Sequence, residues 1–161
     1  FILNVYGPDR KAVEAGLSDE GKKAFNQIID KIMFYGMIPQ EEMPNVCAKN
    51  DFGIFFRPDR RSSHAGFPTK LGEYLAAGTP VITNNTGDLS DIIINGENGF
   101  LLKNNDLQEL IGVLEQCGSM LRSEYLQMRK NAHDTAITKL DYVVYKDQLE
   151  TFVKSIRCKG V

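Results

Sequence analysis

The sequence contains no tryptophan, only three cysteines among 161 residues, and no apolar run long enough to cross a bilayer. The cysteines, Cys47, Cys117 and Cys158, lack metal-ligand spacing, and their odd number argues against a disulfide framework. We therefore expect reduced thiols in a cytoplasmic protein. There is no signal-peptide pattern, and a net charge of -2 gives no general attraction for nucleic acid.

A chain of 161 residues suits one domain with a sizeable core, and we find no repeat or linker that would divide it. The first residue is Phe rather than Met, and the apolar residues 1–6 predict a strand at once. We interpret residues 1–161 as one domain of a longer protein.

The stretch 65–82 predicts a helix with defined ends. Pro68 suits the first turn of a helix, where its missing N–H costs nothing. Three apolar residues follow at helical spacing: Leu71, Tyr74 and Leu75. Gly78 is typical of a helix end, and the apolar residues 80–83 predict a short buried strand.

The apolar residues 52–56 predict another buried strand before this helix. The order strand, loop, helix, strand is a βαβ crossover, which implies parallel pairing. In such a unit the helix begins at the carboxyl end of the sheet. Its free backbone N–H groups and its dipole attract a phosphate there.

Two charged residues of the predicted helix, Lys70 and Glu73, share a face that differs from the apolar one. Lys70 adds positive charge in the first turn, and Glu73 can accept hydrogen bonds from sugar hydroxyls beside a phosphate. A site for a phosphate beside a site for a ribose fits a nucleotide. The residues alone leave another interpretation open, in which both side chains form the solvated surface of an ordinary crossover helix.

The run 67–82, followed by Gly87-Asp88 and by Asn-Gly-Glu-Asn-Gly-Phe-Leu-Leu at 95–102, resembles the donor-binding domain of retaining GT-B glycosyltransferases. Members of this group 1 family carry P-x-K-x-x-E-Y-x-A-x-G-x-P-V-I and then N-G-x-N-G-F-L. Both blocks occur here in the expected order and spacing. The resemblance implies a doubly wound, Rossmann-like α/β fold, with a mostly parallel sheet and helices on both faces.

The resemblance also implies a donor site. Glu73 would bind the ribose, and Met37 with Ile38 would flank the base. The phosphate would lie on the start of the helix, at Gly66, Phe67, Pro68, Thr69 and Lys70. The implied function is retaining transfer of a sugar from a UDP- or GDP-type donor to a saccharide or lipid-linked acceptor in polysaccharide biosynthesis, without a metal or other cofactor.

In the resembled fold, the acceptor domain and the first strand of the donor domain would precede residue 1. We therefore expect this chain to bind donor weakly and to transfer nothing alone. A missing central strand would leave two sheet edges without a hydrogen-bonding neighbour, and such unpaired edges tend to associate. We therefore predict either a re-closed sheet or a dimer across the open edge. A lipid-linked acceptor would bring the full-length protein to a membrane surface.

Two features depart from the family pattern. Ala65 occupies the position of a glutamate expected near the donor sugar, and His64 beside it is a candidate replacement. The family's phosphate-binding Arg and Lys would also precede this sequence, so the catalytic residues are unassigned. The polar loop 57–64 contains three arginines: Arg57, Arg60 and Arg61. They fit a diphosphate or an anionic acceptor, and they equally fit a solvated loop.

The rest of the chain predicts a polar connection over 9–16, a helix from Ser18 with apolar residues as far as Ile32, and a strand over 31–35. Beyond residue 84, the predicted elements are a short helix at 89–94, a strand at 100–102, and helices at 107–118, 121–136 and 141–156. The apolar stripe of the last helix either packs on this domain or is partly exposed.

Two other functions stay open: a nucleotide-sugar 2-epimerase of the same fold, and a non-catalytic module that keeps the nucleotide pocket without the chemistry. A hydride-transferring Rossmann domain is disfavoured because no G-x-G-x-x-G follows a strand. A phospho-receiver domain is disfavoured because the first predicted strand does not end in an acidic cluster.

Overall fold

The computed structural model describes residues 1–103 and 106–157, which form two compact units. The first unit is Phe1–Met43, and the second extends from Pro44 onward. Each unit contains its own parallel sheet, with two strands in the first and three in the second. The five predicted strands are therefore confirmed, but they are divided between two sheets.

The first unit, described in full, contains β1 (Leu3–Tyr6), α1 (Arg10–Ala15), α2 (Asp19–Gln27) and β2 (Ile32–Gly36). The polar connection predicted over 9–16 is wrong, because the Asp9 carboxylate accepts a hydrogen bond from the Ala12 N–H and so begins α1. Helix α2 begins after Ser18 as predicted, but it ends earlier than expected, before a 3₁₀ turn at Ile29–Lys31.

The described part of the second unit has strands β3 (Gly53–Ile54), β4 (Val81–Asn84) and β5 (Gly99–Leu102), in that order across the sheet. Its described helices are α3 (Met43–Lys49, which begins at the unit boundary), α4 (Arg61–Ala65), α5 (Thr69–Ala76), α6 (Leu107–Ser119), α7 (Arg122–Thr135) and α8 (Lys146–Arg157).

Three local predictions need correction. The loop expected over 57–64 is interrupted by the short helix α4. Pro68 is the N-cap of α5 rather than a residue of its first turn. The short helix expected over 89–94 is only a 3₁₀ turn at Leu89–Asp91. Hydrophobic periodicity does not fix the exact ends of such short elements.

The core lies on both faces of β4, since successive residues of a strand face opposite sides. Val81 is buried with Leu71 of α5 on one face. Ile82 is buried with Phe100 on the other, where Leu114 of α6 packs against them. Helices therefore cover both faces of this parallel sheet, which confirms the doubly wound α/β fold class.

In each unit, the described pairings leave the outer strands of the sheet with one unpaired edge. Among the described residues, β1 pairs only with β2, and β3 pairs only with β4. The re-closed sheet and the dimer across an open edge both stay predictions.

The last helix, α8, and the 3₁₀ turn before it expose their apolar stripe. The stripe residues are 49–79% exposed: Tyr142, Tyr145, Leu149, Phe152 and Ile156. Within the described ranges, no helix combines the length and the apolar character needed to span a bilayer. Cys47 and Cys117 are free thiols as predicted, and Cys158 lies outside the described residues.

The guanidinium of Arg129, on α7, ties together the ends of two other helices. It donates hydrogen bonds to the carbonyl oxygens of Ala48 (3.2 Å) and Asn50 (3.2 Å), at the end of α3, and of Ala77 (3.5 Å), at the end of α5. It also donates to the Tyr125 hydroxyl at 2.9 Å. Cationic donors suit helix C-termini because the last carbonyls have no partner within the helix.

We expect Arg129→Ala to lower the free energy of unfolding by at least about 2 kcal/mol, because three carbonyls lose a charged donor. Arg122 is the matched control, since its guanidinium lies 5.9 Å from the Tyr125 ring centre but it is exposed. Arg122→Ala should lower the free energy of unfolding by less than about 1 kcal/mol. Urea unfolding measures the free energy of both variants, and an equal decrease in the two would contradict this role of Arg129.

Candidate functional site

The start of α5 presents backbone N–H groups at the carboxyl edge of the second unit's sheet. Helix α5 joins the parallel strands β3 and β4, so its first turn must lie at that edge. Pro68 occupies the N-cap position but has no side-chain acceptor, and no side chain of the described residues accepts a hydrogen bond from this end. The first N–H groups are therefore available to an external anion.

Lys70 and Glu73 lie one turn apart on α5. Lys70 is exposed and Glu73 is half-buried. In the described part of the chain, neither side chain takes part in an ion pair, and they do not pair with each other. A half-buried carboxylate with its acceptor capacity unused favours a ligand with hydroxyl donors over a merely solvated surface.

The thiol of Cys47 lies within electrostatic reach of both charges. Cys47 is fully buried on α3. Burial raises the pKa of this thiol, the Glu73 carboxylate raises it further, and the Lys70 ammonium lowers it. The sequence did not predict this neighbour, because a cysteine in a short amphipathic helix predicts only burial.

The remaining residues of the first motif have structural roles. The Tyr74 ring lies against the backbone of Gly53, where an added Cβ would be 2.6 Å from the ring. Gly78 has a φ of +65°. Its N–H donates to Leu75 O and the Thr79 N–H donates to Tyr74 O, both at 2.9 Å, which forms a Schellman helix end. Within 67–82, Lys70 and Glu73 are thus the charged residues for which the fold provides no role.

The second motif is structural as well. The Asn95 amide pairs with the backbone of Leu101, accepting at 2.6 Å and donating at 3.3 Å, as a neighbouring strand would. Asn98 is buried, and its Nδ2 donates to Ile92 O and to Thr135 Oγ1, both at 2.9 Å. These contacts hold the turn before β5 against α7.

Arg57 is fixed beside the start of α5. Its N–H donates to Asn84 Oδ1 at 2.9 Å, and Asn84 Nδ2 donates to Arg57 O at 2.8 Å, which joins the ends of β3 and β4. The Arg57 guanidinium donates to Gly66 O at 2.6 Å and to Thr86 Oγ1 at 3.5 Å. No carboxylate among the described residues pairs with it, so its positive charge is available to a ligand.

His64 is held on both ring nitrogens. Its Nε2 lies 2.6 Å from Asp59 Oδ1, and the Gly87 N–H donates to its Nδ1 at 3.3 Å. The sequence analysis singled out His64 but missed Asp59, because an acidic residue in a polar loop carries no pattern of its own. Of the other loop arginines, Arg60 and Arg61 are both exposed.

The base-contact candidates belong to the first unit. Met37 follows β2 and is 85% exposed, so it does not belong to the core. Ile38 is half-buried. In the second unit, Phe67 is half-exposed and Ala65 is exposed. Among residues 1–103 and 106–157, no three His, Cys, Asp or Glu side chains are grouped as a metal site.

Comparison with known proteins identifies the family. The family model for glycosyl transferases group 1 matches residues 7–135. The chain belongs to this family. The group 1 glycosyltransferase pattern therefore accounts for both sequence motifs and for the architecture of the second unit.

Individual relatives of this group 1 glycosyltransferase chain are distant. An uncharacterised 41.2 kDa protein of the cps region of Klebsiella pneumoniae is 26% identical over 86 residues, which are 53% of this chain and 23% of that protein. Anabaena HepE, in a crystal structure with UDP and glucose, has a TM-score of 0.72 at 20% identity and covers 96% of this chain. The matched part is 40% of HepE.

A third similar protein is the C-terminal domain of a group 1 glycosyl transferase from Francisella tularensis. It has a TM-score of 0.61 at 24% identity, over 76% of this chain and 61% of that domain. The chain thus spans less than half the length of HepE and about a quarter of the Klebsiella protein.

Glu73→Gln should lower the pH at which Cys47 ionises, and Lys70→Gln should raise it. Removing the carboxylate removes a charge that opposes the thiolate, and removing the ammonium removes one that stabilises it. NMR titration of isotope-labelled cysteine measures the change, with the Cys47 resonance identified from Cys47→Ala. If Cys47 titrates in both variants as it does in the unmodified protein, the Glu73 and Lys70 charges do not lie near its thiol. Glu115→Gln on α6, an exposed site, is the control for a change in net charge.

Proposed function

We propose that this chain is the donor-binding domain of a retaining, nucleotide-sugar-dependent glycosyltransferase. The observation that carries the proposal is the pair Lys70 and Glu73. Their neighbours in the motif build the helix, its end and the following strand, whereas these two charges have no partner among the described residues. Charged residues without a structural role, at the carboxyl edge of a parallel sheet, favour ligand binding.

In this proposal the diphosphate binds at the uncapped start of α5. The N–H groups of Thr69 and Lys70 donate to phosphate oxygens, and the Lys70 ammonium and the Arg57 guanidinium neutralise the charge. Glu73, one turn further along α5, accepts hydrogen bonds from the ribose hydroxyls. Met37 and Ile38, in the first unit, stay candidates for apolar contact with a base.

The same groups suit the chemistry of transfer. When the sugar leaves, negative charge develops on the diphosphate, and a helix start with the Lys70 and Arg57 cations beside it stabilises that charge without a metal. The structures of HepE with UDP and with UDP-glucose support a uridine-type donor. A saccharide or lipid-linked acceptor would bind to another domain of the whole protein.

A second candidate, a donor-binding module without catalysis, is favoured by one observation. Ala65 is exposed at the position where the resemblance places a glutamate near the sugar. Both candidates predict donor binding by this chain, and turnover by the whole protein separates them.

The test is calorimetric titration of the chain with UDP, GDP, UDP-glucose and GDP-mannose. Glu73→Gln should weaken binding of the preferred nucleotide at least tenfold, which corresponds to about 1.4 kcal/mol, because the ribose loses a charged acceptor. Lys70→Gln should weaken it several-fold through the phosphates.

Glu115→Gln is the matched control, because it also removes one exposed negative charge from a helix of the second unit. It should bind like the unmodified chain. Absence of binding of all four ligands at millimolar concentration, or equal affinity in Glu73→Gln and Glu115→Gln, would refute the donor site proposed here.

A further inference from the structure

Asp59 is an exposed carboxylate that the protein nevertheless holds in one place. Its side chain is 85% exposed, and its Oδ1 lies 2.6 Å from Nε2 of His64, whose side chain is 50% exposed. Even an exposed ion pair contributes little to stability, and an exposed hydrogen bond from a neutral imidazole contributes no more, so this contact adds almost nothing to the stability of the fold. An ordered and accessible carboxylate favours a role in binding.

The contact on the opposite ring nitrogen sets the orientation of His64. Because the Gly87 N–H donates to Nδ1, that nitrogen acts as the acceptor, and Nε2 then carries the proton that is donated to Asp59. Gly87 has a φ of +59°, and an added Cβ would lie 2.8 Å from His64 O. A glycine is therefore needed for this close approach.

Arg57 provides a second connection between the same two segments. Its guanidinium donates to Gly66 O, just before α5, and to Thr86 Oγ1, next to Gly87. The loop after β3 and the turn after β4 are thus joined twice, beside the start of α5. Asp59 belongs to the first of these segments, at the carboxyl edge of the sheet.

The available atom of this pair is Oδ2 of Asp59, since Oδ1 is occupied by His64. A carboxylate oxygen repels phosphate and accepts hydrogen bonds, so within a nucleotide-sugar its partner is a group that carries hydrogen-bond donors. The sugar of a nucleotide-sugar is the hydroxyl-rich group next to the diphosphate. Ala65, one residue after His64, has no polar side-chain atom to offer in its place.

We propose that Asp59 accepts hydrogen bonds from hydroxyl groups of the donor's sugar and that His64 is the positioning residue that fixes it. This inference rests on the proposed function, since it requires the diphosphate to bind at the start of α5. Asp59 is then a determinant of affinity for the sugar portion of the donor, and Glu73 a determinant of affinity for the nucleotide.

The experiment compares UDP with UDP-glucose, and GDP with GDP-mannose, by calorimetry of the 161-residue chain. Asp59→Asn preserves shape and removes the charge. It should weaken binding of the nucleotide-sugar about tenfold and leave that of the nucleoside diphosphate unchanged, whereas Glu73→Gln weakens both. Asp134→Asn is the matched control, since Asp134 Oδ2 also lies 2.6 Å from a basic partner, Lys130, on the exposed face of α7. It should change neither affinity.

Two variants of His64 distinguish a role in positioning Asp59 from a role in the stability of the fold. His64→Ala should reproduce the sugar-specific loss. His64→Gln should recover most of the affinity, because one amide can both donate to Asp59 and accept from Gly87. Thermal unfolding of each variant measures any effect on the fold.

The outcomes distinguish this inference from the proposed function. If the nucleotide binds and Glu73→Gln weakens it, but Asp59→Asn leaves the ratio of the two affinities unchanged, Asp59 does not contact the sugar and the donor site stands. An equal loss for nucleotide and nucleotide-sugar in Asp59→Asn also overturns the inference. If no nucleotide binds, the proposed function fails and the inference fails with it.

Discussion

The packing of α5 against β4 is the constraint on which the rest of the second unit depends. Leu71 and Leu75 are fully buried with Val81, and burial of each such side chain stabilises the fold by about 1.5–3 kcal/mol. Because α5 joins two parallel strands, burying this face places its uncapped start at the carboxyl edge of the sheet. It also leaves Lys70 and Glu73 off the buried face. Core packing therefore positions the helix start at which we propose that the phosphates bind.

Polar contacts rather than apolar ones organise the loops at that edge. Arg57 links Gly66 to Thr86, and His64 links Asp59 to Gly87. Loops fixed before a ligand arrives lose less conformational entropy on binding. This arrangement explains how short segments after a two-residue and a four-residue strand can hold charged side chains in defined positions.

The sequence predicted those features that depend on local signals. The spacing of Leu71 and Leu75 and the glycine at 78 define α5 within a short stretch, and the family resemblance is confirmed by the match to the group 1 family model. The contacts that orient the loops are not local, since His64 and Gly87 are 23 residues apart. Helix α1 was missed because its start depends on a single capping contact by Asp9. Periodicity carries no information about either kind of contact.

The most direct test of the central claim is amide NMR of the labelled chain during titration with UDP and, separately, with GDP. The account predicts that one of the two shifts the Thr69 and Lys70 amides most strongly, because their N–H groups become donors to phosphate. The chemical shifts of the amides around Asp134 on α7 should not change. The largest shifts far from the start of α5, or no shift with either nucleotide at millimolar concentration, would contradict a donor site built on this helix.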